Sequence, residues 1–277
     1  MPLSPPLAYV YGIVSSASDV ECFEAASVLA GATFGPPRLV SSDGLTAVVS
    51  DLTLSDDVSL AALVENGPDA EKLVLQHHRV LQALIVRQSV LPFRFGALFD
   101  GDRGVVDALV RHREALLGAI GRIDGAVEWG LKVYCVRQKL GQWLPGDIPA
   151  LVALEAQMAS AGEGRSFFLR RQHQRLVEEE TEQAIARCLN HMGERLDSTV
   201  REFASGKLQP TEVHGRDGAM VFNGACLVDR GLEELFFELV EDLREAYAGF
   251  GFDHEITGPW PPYSFADCQL GGDKHAA

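Results

Sequence analysis

The order in which strand-like and helix-like patterns follow one another is the feature that most limits how this chain can fold. Strands are predicted from runs rich in β-branched and aromatic residues, and helices from apolar residues spaced three and four apart. In chain order the predicted elements are a strand over residues 7–14, a helix over 18–29, strands over 38–41 and 45–50, helices over 59–65 and 69–87, and a strand over 88–99. This β-α-β-β-α-β order predicts a ferredoxin-like domain.

The same order returns in the second part of the chain, after a charged amphipathic helix predicted over residues 101–123. The later elements are a strand over residues 126–136, a loop-rich stretch over 137–165 with a short helix over 150–160, a long helix over 166–196, strands over 199–203 and 219–228, a helix over 230–247 and a strand over 250–258. We therefore predict an α+β fold of two ferredoxin-like domains. The first covers residues 1–124 with its trailing helix, and the second covers residues 125–265 with a long, coiled-coil-like helix and a C-terminal strap. The polar tail over 266–277 is expected to be disordered.

The order of charges along the predicted long helix indicates how that helix is stabilised. Basic residues such as Arg170 and Arg175 precede a run of glutamates that begins at Glu178, which opposes the helix dipole. An i,i+4 pair between Arg175 and Glu179 offsets only part of this unfavourable order. We therefore expect packing against the sheet or against another helix to hold this element in place.

Net charge and cysteine spacing exclude several classes of function. With 24 Lys and Arg residues against 39 Asp and Glu residues, the chain has a formal charge of −15, whereas binding to nucleic acid or to an anionic membrane needs a cationic face. The five cysteines are scattered and form no Cys-x-x-Cys pair, so neither a disulfide framework nor a zinc knuckle is indicated. The N-terminus lacks a secretory signal pattern, and no apolar run approaches the roughly 20 residues of a membrane helix. We expect a reduced, cytoplasmic protein.

One apolar stretch, Gln88 to Phe99, carries a single arginine between two phenylalanines. Pro92 has no N–H to give to a central ladder, so it indicates an edge strand. Arg94 must find a partner, stack on the neighbouring rings or reach solvent. An anionic ligand is one possible partner, but we favour a structural ion pair between Arg94 and a carboxylate.

Motifs that carry catalysis are absent from the sequence. There is no Gly-x-Gly-x-x-Gly, P-loop, Gly-x-Ser-x-Gly or His-Glu-x-x-His pattern. His77 and His78 are neighbours on a helix and point about 100 degrees apart, so they do not easily share a metal. We expect His77 to be a hydrogen-bonded core residue, and His173 to belong to a cationic helix face. Glu128 and Lys132 lie on one face of a strand, which predicts a structural pair.

An ordered set of short motifs resembles the gas vesicle protein F/L family. The set comprises His77-x-x-Val80, Val90-Leu91-Pro92-Phe93-Arg94-Phe95-Gly96, Glu128-Trp129-Gly130-Leu131-Lys132-Val133, Phe168-Leu169-Arg170-Arg171-Gln172 and Thr257-Gly258-Pro259-Trp260-Pro261-Pro262-Tyr263-Ser264-Phe265. Each motif is short, but their common order spans nearly the whole chain. Two positions depart from the family's pattern, because Phe93 stands where a smaller aliphatic residue is usual and Ala97 where threonine is common.

The resemblance implies an accessory protein of gas vesicle assembly, of either the F or the L type, rather than an enzyme. It also implies a chain of two α+β domains that binds the hydrophobic main shell protein and other accessory proteins. The family supplies no catalytic residues, no cofactor and no metal ligands. Its matching positions are candidates for roles in the fold or in an interface: His77, Pro92, Arg94, Gly96, Glu128, Trp129, Lys132, Arg170, Trp260, Pro261 and Tyr263.

Two questions about binding stay open at the level of the sequence. A sheet edge at Pro92 could accept a partner strand, and the aromatic residues from Trp260 to Tyr263 could anchor a partner, although a strap packed over one domain is the favoured interpretation of that segment. The alternative function is that of a haem-binding or small-molecule-binding enzyme or sensor, since tandem ferredoxin-like domains also build such proteins. That alternative requires ligation through His77 or His173.

Overall fold

The computed structural model describes residues 7–15, 35–52, 70–144, 146 and 148–266. Within these residues the chain is a mixture of helices and strands arranged in two sheets. The chain divides into two compact units, Met1–Glu128 with Pro259–Ala277, and Trp129–Gly258. The helices predicted over 18–29 and 59–65, and nearly all of the predicted tail, lie outside the described residues.

The first sheet is antiparallel and has its first strand in the middle. Its strands, within the described residues, are β1 (Leu7–Val14), β2 (Arg38–Ser42), β3 (Leu45–Leu52), β4 (Leu91–Pro92) and β5 (Leu98–Phe99). Their order is β2-β3-β1-β4, and β5 also pairs with β1. Asp43 and Gly44 join β2 to β3 with φ values of 50° and 80°, as a two-residue hairpin turn requires. The strands predicted over residues 38–41 and 45–50 are confirmed, and they form a hairpin.

Helix α1 (Ala70–Ile85) lies against β1. Val80, Leu81 and Leu84 on its apolar stripe are at most 1% exposed. They share one hydrophobic core with Tyr9 and Tyr11 of β1. The helix predicted over residues 69–87 is confirmed, and its apolar stripe faces the core.

The prediction of one continuous strand over residues 88–99 is wrong. These residues form two short strands, β4 and β5, separated by residues 93–97. One reason is Pro92, which cannot donate to a ladder, and another is an irregularity in the register of β1 between Val10 and Gly12. Strand β4 ends the described strand order, so the prediction that Pro92 marks an edge is confirmed.

The helix predicted over residues 101–123 is two helices, α2 (Gly101–Arg111) and α3 (Arg113–Ile123). His112 separates them, because its φ of −108° and ψ of 16° leave the helical region. Each helix buries its own apolar residues. These are Val105 and Leu109 in α2, and Leu116, Ile120 and Ile123 in α3.

The second sheet has its first strand between its third and fourth strands. Its members in the described part of the chain are β6 (Ala126–Cys135), β7 (Val200–Ser205), β8 (Ala219–Asp229) and β9 (Phe252–Trp260), in the order β7-β8-β6-β9. Strands β7 and β8 pair antiparallel. All four predicted strands are present, and β9 lies two residues later than predicted.

The stretch over residues 137–165 is more helical than predicted. It contains α4 (Arg137–Trp143), α5 (Pro149–Ser160) and the start of α6 (Glu163–Leu196). Helix α4 is held by its buried Leu140 and by Arg137, whose Nε–H donates to Glu182 Oε1 of α6 at 2.6 Å. These partners lie more than 40 residues apart in the sequence, so the local pattern did not reveal them.

The long helix predicted over residues 166–196 is confirmed as α6, which is 34 residues long. It packs against α4, α5 and the later helix α8 (Glu233–Ala248). The expected i,i+4 pair is present, with Arg175 Nε 3.6 Å from Glu179 Oε1. A short helix α7 (Thr211–His214) and a 3-10 turn (Arg230–Leu232) complete the described helical segments. None of the described helices is both long and apolar enough to span a membrane.

Candidate functional site

His77 occupies the centre of a buried aromatic cluster in the first unit. The Tyr11 ring stacks on the His77 ring with centroids 5.6 Å apart, and the Tyr9 ring meets it edge-on at 5.6 Å. Phe95 approaches the same imidazole edge-on at 5.7 Å. Because His77 is 3% exposed, the prediction of a hydrogen-bonded core histidine is confirmed by its surroundings. We call these four residues the His77 cluster.

Hydrogen bonds fix the position of the proton on the His77 ring. Its Nε2 atom lies 3.1 Å from the Phe93 carbonyl oxygen, which can only accept, so Nε2 carries the hydrogen and donates it. The Nδ1 atom is therefore an acceptor, and the Tyr9 hydroxyl donates to it at 2.7 Å. The Tyr263 hydroxyl oxygen, 2.9 Å from Nε2, is a second acceptor for the same N–H. Both ring nitrogens are engaged.

Burial keeps the His77 cluster uncharged. It disfavours the imidazolium form and lowers the pKa of His77 from 6.5 to about 4, although the bond to the Phe93 carbonyl favours protonation. Burial also raises the pKa of Tyr9, and it raises the pKa of Tyr11 to about 12. The imidazole and the two phenols are therefore neutral at pH 7, and none of the three titrates near the pH at which a general acid or base works best.

Residues 93–96 turn two backbone groups into the His77 cluster. The Phe93 carbonyl accepts from His77, and the Gly96 N–H points to the Tyr9 hydroxyl oxygen at a longer 3.5 Å. Gly96 has a φ of 97°, a left-handed value that a side chain would strain. The motif residues Phe93 to Gly96 therefore complete the cluster through their backbone, which explains why a glycine stands at position 96.

Arg94, in the middle of this segment, is exposed. No carboxylate in the described part of the chain forms an ion pair with it, so the expected structural ion pair is not found there. The reason lies in the backbone, since the Phe93 carbonyl and the Gly96 N–H point to the cluster while the Arg94 side chain reaches solvent. An exposed guanidinium keeps its hydration and needs no buried partner.

The last described residues, Pro259–Ala266, pack on the first unit, and we call them the closing segment. Gln82 of α1 donates its Nε2–H to the Pro259 carbonyl oxygen at 2.8 Å. The Trp260 ring lies 5.3 Å from the His78 ring, centroid to centroid. The closing segment therefore runs along α1 on the same side as the two histidines.

The middle of the closing segment contacts the His77 cluster directly. Tyr263 turns its hydroxyl inward to His77, although 37% of the residue stays exposed. Burial of that hydroxyl raises the pKa of Tyr263. Pro261 is buried and Phe265 is 1% exposed, so the segment is anchored by its own apolar residues on both sides of Tyr263.

Glu128 anchors the end of the closing segment. It is 7% exposed, and Ser264 donates its backbone N–H to Oε2 at 2.9 Å and its hydroxyl to Oε1 at 2.8 Å. Burial raises the pKa of Glu128, and the two hydrogen bonds oppose that rise. The predicted pair between Glu128 and Lys132 is wrong, because Lys132 Nζ lies instead 3.7 Å from Glu255 Oε1.

The structure brings together only part of the predicted set. His77, Gly96, Tyr263 and Glu128 meet at the His77 cluster and the closing segment, with Pro92, Arg94, Trp260 and Pro261 in the same stretches of chain. In the second unit, Trp129 donates its Nε1–H to Glu233 Oε1 at 3.1 Å. Arg170 is exposed on α6. These two residues and Lys132 take no part in the cluster.

Sequence reasoning missed three polar residues of this site, two in the His77 cluster and one in the closing segment. Tyr9 and Tyr11 were interpreted only as strand residues, although two hydroxyl-bearing rings two positions apart on one apolar strand are a signal for a buried polar partner. Ser264 carried no signal of its own, because its partner Glu128 is 136 residues away in the sequence.

Of the two histidines named for the cofactor-binding alternative, His77 offers no free ring nitrogen in this structure. Both nitrogens of His77 are hydrogen-bonded, and His173 Nε2 lies 3.1 Å from Glu155 Oε1. Among the described side chains, no three of the His, Cys, Asp and Glu residues converge closely enough to hold a metal ion. The polar groups of the His77 cluster hydrogen-bond one another beneath the closing segment.

Comparison with known proteins points to one family. The family model described as gas vesicle synthesis protein GvpL/GvpF matches residues 7–267. Gas vesicle protein L of Streptomyces sp. (strain CB03234) is 30% identical over 233 residues, which cover 83% of this chain and 83% of that protein. Gas vesicle protein F2 of Halobacterium salinarum (strain ATCC 700922 / JCM 11081 / NRC-1) is 26% identical and covers 96% of this chain and 94% of its own length.

Solved structures agree at the level of the fold. The crystal structure of the gas vesicle protein GvpF from Anabaena sp. PCC7120 is similar with a TM-score of 0.71 at 18% identity, over 95% of this chain and 99% of that chain. The structure of GvpF from Microcystis aeruginosa is similar with a TM-score of 0.62 at 15% identity, over 95% of this chain and 99% of that chain.

Proposed function

The chain belongs to the gas vesicle synthesis protein GvpL/GvpF family, and we propose that it is an accessory protein of gas vesicle formation that acts by binding and not by catalysis. Its partners are the main shell protein of the vesicle and other accessory proteins. It works in the cytoplasm, on the forming gas vesicle. The shared family and the names of the relatives support the process, and the site geometry supports the mode of action.

The proposal rests on which groups of the motif from Pro92 to Gly96 are buried and which are exposed. The backbone and aromatic groups of this motif are taken up by the His77 cluster, where every ring nitrogen of His77 has a partner. Arg94 is the charged side chain that the motif leaves exposed. A site whose polar groups satisfy one another stabilises a surface, and the exposed arginine gives that surface a contact for a partner.

The strand orders support a ferredoxin-like arrangement of both domains. In each sheet the first strand lies between the third and the fourth, with the second outside the third, as two interleaved β-α-β units require. We place the boundary between the domains near residue 125. The closing segment then returns to the start of β6, where Ser264 binds Glu128.

The sheet edge beside Arg94 is the surface that we assign to the partner. Strand β4 ends the described sheet at Pro92, and the half-buried Phe93 and the exposed Arg94 follow it directly. An apolar partner segment laid along this edge gains contact with the Phe93 ring, while a carboxylate or carbonyl on the segment gains a charge-assisted bond from Arg94. Such coverage would keep an apolar shell protein from aggregating before it assembles.

Co-precipitation of the full chain with purified main shell protein tests this proposal. We expect the wild type to retain the shell protein at micromolar concentration, and Arg94→Ala to weaken retention about tenfold or more, as loss of a central charged contact does. Arg103→Ala removes another exposed arginine of the first unit, at the start of α2, and is the matched control that should bind normally. No retention by the wild type, or equal loss in both variants, would contradict the proposal.

A further inference from the structure

Two phenylalanine side chains near the start of α6 are exposed to solvent. Phe167 is 64% exposed, and Phe168, at 73%, is the most exposed large hydrophobic side chain among the described residues. Their rings meet edge-on with centroids 5.8 Å apart, while the next residue, Leu169, is buried. Single exposed apolar side chains are common on protein surfaces, but two touching rings form a contiguous apolar patch. Covering this patch removes apolar surface from water, which is favourable.

Arginines flank these two rings on the same side of the helix. Arg170 lies three positions after Phe167, and Arg171 lies three positions after Phe168, a spacing that makes helical side chains neighbours. Both arginines are exposed, and neither forms an ion pair with a carboxylate in the described ranges. Phenylalanine and arginine are both enriched in the cores of protein interfaces. We call these four residues the aromatic-basic face.

Helix α8, in the same unit, presents a face of opposite charge. Its exposed side includes Glu234, Glu238 and Glu245, which have no ion-pair partner among the residues that the structure describes. Leu235, three positions before Glu238, is 44% exposed. Like charges four positions apart, such as those of Glu234 and Glu238, destabilise a helix, so a cationic partner relieves their repulsion. We call these four residues the acidic face.

The two faces cannot meet within one chain. Asp242 Oδ2 of α8 lies 3.7 Å from Arg195 of α6. The Tyr247 hydroxyl of α8 lies 2.7 Å from His191 Nδ1, so α8 packs near the C-terminal end of α6. His191 follows Phe168 by 23 residues, which corresponds to about 35 Å along a helix at about 1.5 Å per residue. No side chain spans that distance, so α8 of the same chain leaves the aromatic-basic face uncovered.

The two faces complement each other in charge, and each carries apolar surface. We therefore propose that the chain binds a second copy of itself, with the aromatic-basic face of one copy docked on the acidic face of the other. The guanidinium groups of Arg170 and Arg171 pair with glutamates of the acidic face, and the phenylalanine rings cover Leu235. Two copies with a charge of −15 each repel one another. At about 0.15 M salt this repulsion is screened beyond about 8 Å, whereas charge pairs partly buried in a contact are screened much less.

The contact joins two different surfaces, so it is heterologous. A pair of copies joined by one such contact keeps one free face of each kind. The contact can therefore close on itself or repeat from copy to copy. This self-association goes beyond the binding of shell protein proposed above and requires no other protein.

Sedimentation velocity of the full chain alone, over a range of concentrations at about 0.15 M salt, tests this proposal. We expect the wild type to self-associate with a dissociation constant of the order of 1–100 μM, as small interfaces do. Phe168→Ala combined with Arg171→Ala, and separately Glu234→Gln combined with Glu238→Gln, should each weaken self-association about tenfold or more. All four side chains are exposed, so neither double variant loses a core contact.

Mixing the two double variants tests whether these two faces are each other's partners. The first variant keeps its acidic face and the second keeps its aromatic-basic face, so one contact of the wild-type kind remains possible between them. With a fluorescent label on one variant only, we expect the mixture to form a complex of one copy of each with nearly the wild-type affinity.

A control variant and three outcomes decide the proposal. Arg103→Ala combined with Glu114→Gln removes one exposed charge of each sign from the first unit, outside both faces, and should self-associate as the wild type does. A wild type that sediments as a single copy up to about 200 μM would overturn the proposal. So would an equal loss of association in the control, or the absence of a complex in the mixture of the two double variants.

Discussion

Replacing His77 by leucine removes the imidazole at the centre of the His77 cluster and puts an apolar side chain in its place. The Tyr9 hydroxyl then loses its acceptor and the Phe93 carbonyl loses the donor that lies 3.1 Å away. A buried polar group left without a partner costs about 1–3 kcal/mol. We therefore expect His77→Leu to lower the free energy of unfolding by about 2–6 kcal/mol, a large part of the total for a single domain.

A double-mutant cycle separates the hydrogen bond from the packing. Tyr9→Phe alone leaves His77 Nδ1 without its donor, whereas Tyr9→Phe combined with His77→Leu removes both partners. We expect the double variant to be more stable, by about 1–2 kcal/mol, than the sum of the single effects predicts. Urea denaturation of the full chain, followed by circular dichroism, measures each free energy.

Tyr247→Phe is the matched control for this cycle. Its hydroxyl lies 2.7 Å from Nδ1 of the exposed His191, so water can replace the bond. We expect a change within about 0.5 kcal/mol. Additive effects in the cycle, or a loss in His77→Leu no larger than in Tyr247→Phe, would refute the description of a buried, mutually satisfied cluster.

The stability of the wild type and that of His77→Leu should depend differently on pH. The pKa of His77 is about 4 in the folded protein and 6.5 without the fold, so between these values the unfolded chain binds a proton that the folded chain does not. Stability is therefore full above pH 6.5 and is lost as the pH falls toward 4, by roughly 3 kcal/mol in all. His77→Leu lacks this loss, so the stability gap between wild type and variant should shrink across that window. A constant gap would show that His77 titrates as in water.

Further variants test the closing segment and the glycine of the motif. Ser264→Ala removes the hydroxyl that donates to Glu128 Oε1 at 2.8 Å, and we expect urea denaturation to show a loss of about 1.5–3 kcal/mol. Glu128→Gln should flatten the pH dependence of stability, because the raised pKa of Glu128 makes the wild type lose stability as the pH rises from about 4.5 through that pKa. Gly96→Ala places a side chain at a φ of 97° and should cost about 1–3 kcal/mol, whereas Gly118→Ala, in an exposed helical turn, should be neutral or stabilising by up to about 1 kcal/mol.

Local sequence patterns were sufficient to predict the elements that are defined by residues only a few positions apart. The turn at Asp43 and Gly44 is defined by two adjacent backbone conformations, and the apolar stripe of α1 by spacings of three and four. The length of α6 is indicated by the run over residues 166–196, in which Gly193 is the single helix breaker. For such elements the sequence neighbourhood and the final environment favour the same structure.

Non-local partners account for what local patterns missed. Glu128 was assigned to Lys132 because both lie on one strand face, but Ser264 supplies two hydrogen bonds from 136 residues away. The break in the strand over 88–99 depends on the register of β1 and on groups that face His77. Arg94 was expected to be paired because its neighbours are apolar, yet the turn around it exposes its side chain. None of these outcomes can be predicted from the spacing of nearby residues.

Restoration of gas vesicles in cells that lack this chain tests the central claim most directly. Cells without the chain should form no vesicles in electron micrographs, and the wild-type chain and Arg103→Ala should each restore them. Arg94→Ala, produced at the same level, should restore few or none. Normal vesicles in the absence of the chain, or equal restoration by Arg94→Ala and Arg103→Ala, would contradict the proposal that this protein builds gas vesicles through the surface at Arg94.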